Sequence, residues 1–314
     1  MQTALTLEQP LSVNHWAQVW LSIRDGKVSI GAQPYRRGKL FGVASTKDGT
    51  LPIFAPAADQ PLLFAALGHL APTRHFNGRL DSPAMFSRAL SDEERVLIGQ
   101  AHPSTLDGVL GAWDFAENTA TDVFTDSGPA AAHGLVVNTP VRAVAGATWT
   151  GQIMAFSQAP DQYGAIHFHD DDITDCRWPV CYEWTPPANT RSAVYALMLQ
   201  AGEHQENVPF HVVAAKGKPT ARIAVLASTF TYTVYGNNAR PEWTTVPEWP
   251  GLWHEQSAAW NAYPHNPGDH VEYGLSTYNN HPDGSGISIA SWHRPMLTTT
   301  LFLTLSYTMK AWMF

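Results

Sequence analysis

The sequence predicts a mainly β protein, and three observations carry that prediction. From Trp16 to Ile30 the chain alternates, with Trp16, Gln18, Trp20 and Ser22 on one parity and Ala17, Val19, Leu21 and Ile23 on the other. A period of two is the side-chain spacing of a strand, and Asp25-Gly26 between the runs is a hairpin turn signal. Glycine and proline are frequent, at 23 each, beside 12 Trp, 10 Tyr and 13 Phe, so many turns separate short aromatic-rich runs. Later runs, Tyr163–His169, Ser192–Leu199 and Pro209–Ala215, are likewise short and rich in β-branched or aromatic residues.

At 314 residues the chain is long enough for two or three domains, and 44% hydrophobic against 15% charged residues describes a globular protein. A formal charge of −8, with no basic stripe, argues against binding nucleic acid or an anionic membrane. Cys176 and Cys181 make neither a disulfide framework nor a zinc cage, so they are expected to be free thiols in a reducing cytoplasm. The first ten residues lack a basic region followed by an apolar core, so no secretory signal is expected. Leu297–Phe314 is apolar but short for a span and interrupted by threonines, and it reads as an abnormal tail rather than an anchor.

After the first hairpin, short strands are expected near Phe41–Val43 and Leu62–Phe64. His75–Asp81 then offers strand residues around an Asn77-Gly78 turn, and Ala84–Phe86 a further strand. Ser91 with Glu94 three residues on is a capping box, placing a helix start there. Phe76-Asn-Gly-Arg-Leu-Asp81 with Arg88-Ala-Leu-Ser91 and Glu94 resembles the closing half of a laminin-G-like, concanavalin-like β-sandwich, and Gly111–Phe115 supplies another of its strands. That resemblance spans residues 1–117, where no acidic calcium cage assembles. Residues 118–150, rich in small side chains, read as a linker or crossover. Residues 151–219 then read as a small β-domain, and 220–314 as a further domain.

In that last domain Ala221–Leu226 reads as a buried strand delivering Thr231, Tyr232 and Tyr235 at its carboxyl end. Glu272–Gly286 runs into a loop dense in Gly, Asn, Asp and His, the kind on which sites are built. Any one of these tyrosines also suits a core position with its hydroxyl at the surface. His167-Phe-His-Asp-Asp-Asp172 is the other candidate: on a strand His167, His169 and Asp171 share a face, the composition of a two-histidine, one-carboxylate metal site. Its alternative is a solvated acidic turn beside a packed histidine. Serine-nucleophile, Walker, dinucleotide and His-Glu-x-x-His motifs are missing, and Asp283-Gly-Ser-Gly286 opens no helix.

Four stretches together resemble the large (β) subunit of the N,N-dimethylformamidase family. They are His133–Gly146 with Trp149 and Gly151; Tyr163–Asp172; Ser228–Tyr232 with Tyr235-Gly-Asn237; and Glu272–Asn279 with His281, Asp283–Gly286 and Arg294-Pro-Met296. The resemblance implies iron-dependent hydrolysis of N,N-dimethylformamide or related small amides to formate and an amine. The iron would sit in an α/β domain that looks like a class I glutamine amidotransferase, held by two tyrosines and a glutamate with a histidine beside it. It also implies a small partner subunit in a hetero-oligomer. The tyrosines map onto Tyr235 and Tyr278, with Tyr232 competing for the first position.

The implied fold is therefore mainly β, with a concanavalin-like β-sandwich, a small β-domain and the start of an incomplete α/β amidotransferase-like domain. The family's His-Pro-Glu-Tyr segment, which carries the third iron ligand, does not occur in this sequence. The resemblance thus points to a truncated or frame-shifted large subunit whose activity is impaired and whose last third exposes apolar surface. The alternatives are a non-catalytic sandwich that binds carbohydrate or a partner, and a different metal site at His167 and His169.

Overall fold

The computed structural model describes residues 5–50, 61–68, 71–98, 102–239 and 267–297. Thirteen strands and two short α-helices lie among them, and every ladder between named strands is antiparallel. The chain divides into two compact units, Met1–Asp170 and Asp171–Phe314.

In the first unit β1 (Ala17–Arg24) and β2 (Lys27–Arg36) form the expected hairpin, in register from Ala17↔Pro34 to Arg24↔Lys27. Asp25 and Gly26 both have positive φ, 51° and 74°, the mirror-image turn whose twist matches paired strands. The strands expected at Phe41–Val43 and Leu62–Phe64 do not form. Pairing with β2 falls instead to β3 (Lys39–Leu40) and β4 (Ser45–Thr50). The β4 sequence, Ser-Thr-Lys-Asp-Gly-Thr, carries no apolar signal, and Phe64 is used as a core ring.

Two further sheets make the sandwich. One has the order β6 (Ala84–Phe86), β7 (Val109–Asp114), β8 (Val123–Asp126), β9 (Gly134–Leu135); the other runs β10 (Val141–Val144), β11 (Ala165–Phe168), β5 (Gly78–Asp81). Trp113 of β7 and the adjoining Phe115 meet Ile166 of β11, and Phe64, Leu80, Phe124 and Phe168 close around them. Phe115 lies edge-on to Phe124 with ring centroids 5.2 Å apart, a favoured aromatic geometry. The Asn77-Gly78 pair opens β5 rather than turning between two strands.

Residues 118–150 are not a linker, because β8, β9 and β10 lie within them. Apolar periodicity fails there because polar side chains, buried Asp126 and half-buried Arg142, do the ordering. The Asp126 carboxylate accepts from the amides of Ala112, Gly128 and Ala132 at 2.8, 2.7 and 2.8 Å. The Arg142 guanidinium donates to the carbonyls of Phe115, Glu117, Asn118, Thr121 and Val123, holding the β7–β8 loop. Tyr163–His169 likewise supplies β11, which pairs with β5 inside the sandwich, so it opens no separate domain; the units part at Asp170 and Asp171.

The second unit contains a two-stranded ribbon, β12 (Ala193–Ala201) and β13 (His204–Val212), paired from Ala193↔Val212 to Ala201↔His204. The buried strand expected at Ala221–Leu226 is absent. No ladder among the described residues includes it, and Ile223, Val225 and Leu226 are 82, 90 and 93% exposed. A strand needs a neighbour to satisfy its amides and cover its faces, and a β-branched run alone supplies neither. The hydroxyl-rich continuation is a helix, α2 (Thr229–Tyr235), in which the Thr233 hydroxyl donates to the Thr229 carbonyl at 3.0 Å. That back-bond is how threonine is accommodated in a helix. Residues 240–266 of the expected amidotransferase-like domain and 298–314 of the unusual tail lie outside the described residues.

Both cysteines are free thiols. Among the described residues no helix is long and apolar enough to cross a membrane.

At α1 (Asp92–Ile98) the expected capping box is complete: the Glu94 amide donates to the Ser91 hydroxyl at 3.2 Å and the Ser91 amide to the Glu94 carboxylate at 2.9 Å. Arg88 also grips both Glu94 oxygens, at 2.8 and 2.5 Å. The Arg88 hydrogen bonds, then that from the Ser91 amide, lower the Glu94 pKa from 4.5 to about 2. A carboxylate with a depressed folded pKa contributes stability above its unfolded value and loses it as pH falls through the folded one. Urea melts of the wild type should therefore lose part of their midpoint as pH drops from 4.5 toward about 2. Glu94→Gln should start from a lower midpoint at neutral pH and lack that part of the fall.

Candidate functional site

The second unit gathers the tyrosine-bearing segments around buried side chains that bond to main chain. Helix α2 stops at Gly236, and Asn237 follows in the left-handed conformation, φ 59°. Its side chain is almost wholly buried at 1% exposure. The carboxamide nitrogen donates to the carbonyls of Gly274 and Pro295 at 3.0 and 2.7 Å, and its oxygen accepts from the Leu297 amide at 2.8 Å. One side chain therefore ties the end of α2 to two distant segments. A Cβ at Gly236 would press on the Thr233 carbonyl and displace the mobile end of the Met296 side chain.

Arg294 reinforces the same junction from within, donating to the carbonyls of Leu275, Ser291 and Gly236 at 2.9, 3.1 and 3.4 Å. Burial lowers its pKa, the cost of placing a guanidinium among carbonyls. Gly274 has a positive φ, 74°, and its lack of a Cβ leaves room for that guanidinium. Fully buried Ser276 accepts from the Tyr278 amide at 3.0 Å, and the Thr277 amide donates to the Val234 carbonyl at 3.1 Å.

These bonds bring the loop after Leu275 against the last turn of α2 and set Tyr278 on Tyr235. Their rings stack with centroids 4.1 Å apart and planes 23° from parallel. Tyr232 lies one turn earlier on α2, and the ring stacked on Tyr278 is that of Tyr235. A hydrogen bond to Tyr278, with burial second, raises the Tyr235 pKa, so its hydroxyl is neutral at pH 7. The hydroxyls are partners and both rings are partly exposed, at 43 and 60%. Two oxygens side by side at an accessible edge can share a proton or a cation.

A second cluster joins residues far apart in sequence. The buried His281 ring donates from Nδ1 to Asp171 Oδ1 at 2.7 Å, and its Nε2 is 3.9 Å from Asp172 Oδ1. Burial works to lower the His281 pKa, but the Asp171 hydrogen bond and the charges of Asp171, Asp172 and Asp283 outweigh it and raise the value. Asp171 was expected beside His167 and His169 in a metal triad, and its Oδ1 is engaged by His281 instead. In the first unit His167 of β11 and His169 just beyond its end are both buried, with ring centroids 4.1 Å apart.

The sequence offered no sign of the Asp171–His281 pairing, since 110 positions separate the two. Asn237 and Arg294 lay within segments singled out by resemblance, but their work as main-chain ties had no local signature. Asn237→Ala would leave two carbonyls and an amide unpaired in the interior and should lower unfolding stability by about 3 kcal/mol, read from urea melts. Asn237→Gly, which keeps the backbone conformation, should lose nearly as much.

Residues 141–313 match the family model described as N,N-dimethylformamidase beta subunit-like, C-terminal. The chain is 33% identical over 290 residues to the N,N-dimethylformamidase beta subunit of Paracoccus aminophilus, and 30% identical over 290 residues to that of an Alcaligenes species. In each case 83% of this chain aligns with 36% of the relative, so the chain spans about a third of the length of these curated relatives. The matched region holds the stacked tyrosines and the Asn237 and Arg294 ties, and on this match the chain belongs to the N,N-dimethylformamidase beta subunit-like family.

Proposed function

We propose that this chain serves in the hydrolysis of N,N-dimethylformamide or a related small amide to formate and an amine, with Tyr235 and Tyr278 as iron-binding residues. The stacked, hydrogen-bonded tyrosine pair carries the reading. Phenol oxygens are hard donors that become anionic on binding, the set that suits ferric iron. When bound, such an ion polarises an amide carbonyl and acidifies a water.

The chain's own residues set the conditions for this. Ser276 and Asn237 fix the two backbones, so the phenols are positioned before any ligand arrives. Because Tyr235 is held neutral, uptake of a cation is coupled to loss of a phenolic proton and should weaken as pH falls. Tyr235 and Tyr278 are the protein donors this reading assigns, and loss of either should be decisive. The relatives are named as beta subunits, and we extend that to a smaller partner subunit for this chain.

Iron content, visible spectrum and dimethylformamide turnover measured on one purified sample test the proposal. Wild type loaded with ferric iron should show a tyrosinate charge-transfer band, and Tyr278→Phe should lose both band and iron. A wild type that stays colourless after loading, or a band that survives Tyr278→Phe, would overturn it.

A further inference from the structure

We propose that Asn279 is a positioning residue for the tyrosine pair, the second of two ties that fix Tyr278 against Tyr235. The inference rests on the reading in which those two phenols act together. Tyr278 lies inside a tight turn, closed where the Asn279 amide donates to the Ser276 carbonyl at 3.0 Å. Within that turn the Tyr278 amide donates to the Ser276 hydroxyl, also at 3.0 Å, so the turn is held from inside as well.

What the turn grips on either side of Tyr278 decides where the ring goes. On one side Thr277 donates its amide and its hydroxyl to the Val234 carbonyl, at 3.1 and 3.2 Å. On the other, the Asn279 carboxamide takes both main-chain groups of Ala239: its nitrogen donates to the carbonyl at 3.1 Å and its oxygen accepts from the amide at 2.9 Å. Val234 stands immediately before Tyr235 and Ala239 shortly after it, so the ties bracket Tyr235 as they bracket Tyr278. A single tie is a pivot about which the turn can swing, whereas two fix its orientation. A carboxamide suits the second because it presents a donor and an acceptor side by side, as main chain does. Both rings are exposed, so apolar contact alone is a weak hold on the stack. A displacement of about 1 Å would part the hydroxyls and misplace two ligands of one ion. The competing role is support of the loop alone, with the phenols keeping their places when the tie is cut.

Spectrophotometric titration of the phenols in the metal-free whole chain separates these roles. Tyr235 is isolated as the difference between each background with and without Tyr235→Phe, and in wild type it should ionise above the ordinary tyrosine range because of its hydrogen bond to Tyr278. Asn279→Leu, which keeps the shape and removes both bonds, should return Tyr235 toward the ordinary range, a change that loss of loop support alone would not produce. Asn279→Ala gives the same readout where the leucine variant does not fold. Loaded with ferric iron, either variant should hold it about 10–100-fold more weakly than wild type. A wild-type Tyr235 that titrates in the ordinary range, or an unchanged Tyr235 in either folded variant, would overturn the proposal. The titration needs no metal, so a wild type that stays colourless with iron sinks the iron reading alone.

Discussion

The carboxamide of Asn237 is the bond donor and acceptor on which the second unit depends. The described part of that unit has one short helix, one ribbon and long irregular segments, so sheet ladders cannot satisfy most of its backbone. Buried carbonyls and amides must find partners, and side chains supply them. Asn237 serves Gly274, Pro295 and Leu297, and Arg294 serves Leu275, Ser291 and Gly236. The stacking of Tyr235 on Tyr278 is a consequence of these ties, since neither ring is buried deeply enough to hold the loops by apolar contact.

The first unit applies the same solution within a conventional core. Trp113, Phe115 and Ile166 give the sandwich its apolar centre, while Asp126 and Arg142 organise the turns around it. What could be read beforehand and what could not follows this division. The Asp25-Gly26 hairpin and the Ser91–Glu94 capping box were legible because both signals lie within a few residues and depend on local geometry. The strands of residues 118–150 were not, because Asp126 and Arg142 act on main chain several to many positions away.

The apolar run at Ile223–Leu226 failed for a different reason. Its composition states a preference for a sheet but cannot supply the neighbouring strand, and without one the residues stay outside any ladder and exposed. At the candidate site, Tyr235 and Tyr278 were reached through family resemblance, and the structure adds their stacking and hydrogen bond. The Asp171–His281 link needed three-dimensional information, because nothing in an acidic run specifies which distant imidazole it will meet.

Position 237 also shows how narrowly a junction of this kind constrains amino-acid choice. Its backbone lies where glycine and asparagine are the residues most readily accommodated, while its side chain must both donate and accept in opposite directions. Glycine satisfies the first requirement alone; glutamine matches the second only with an extra methylene and a less suitable backbone preference. Aspartate brings a charge and no donor. The two demands intersect at a single side chain, so drift at this position is closed off by geometry irrespective of what the neighbouring tyrosines do.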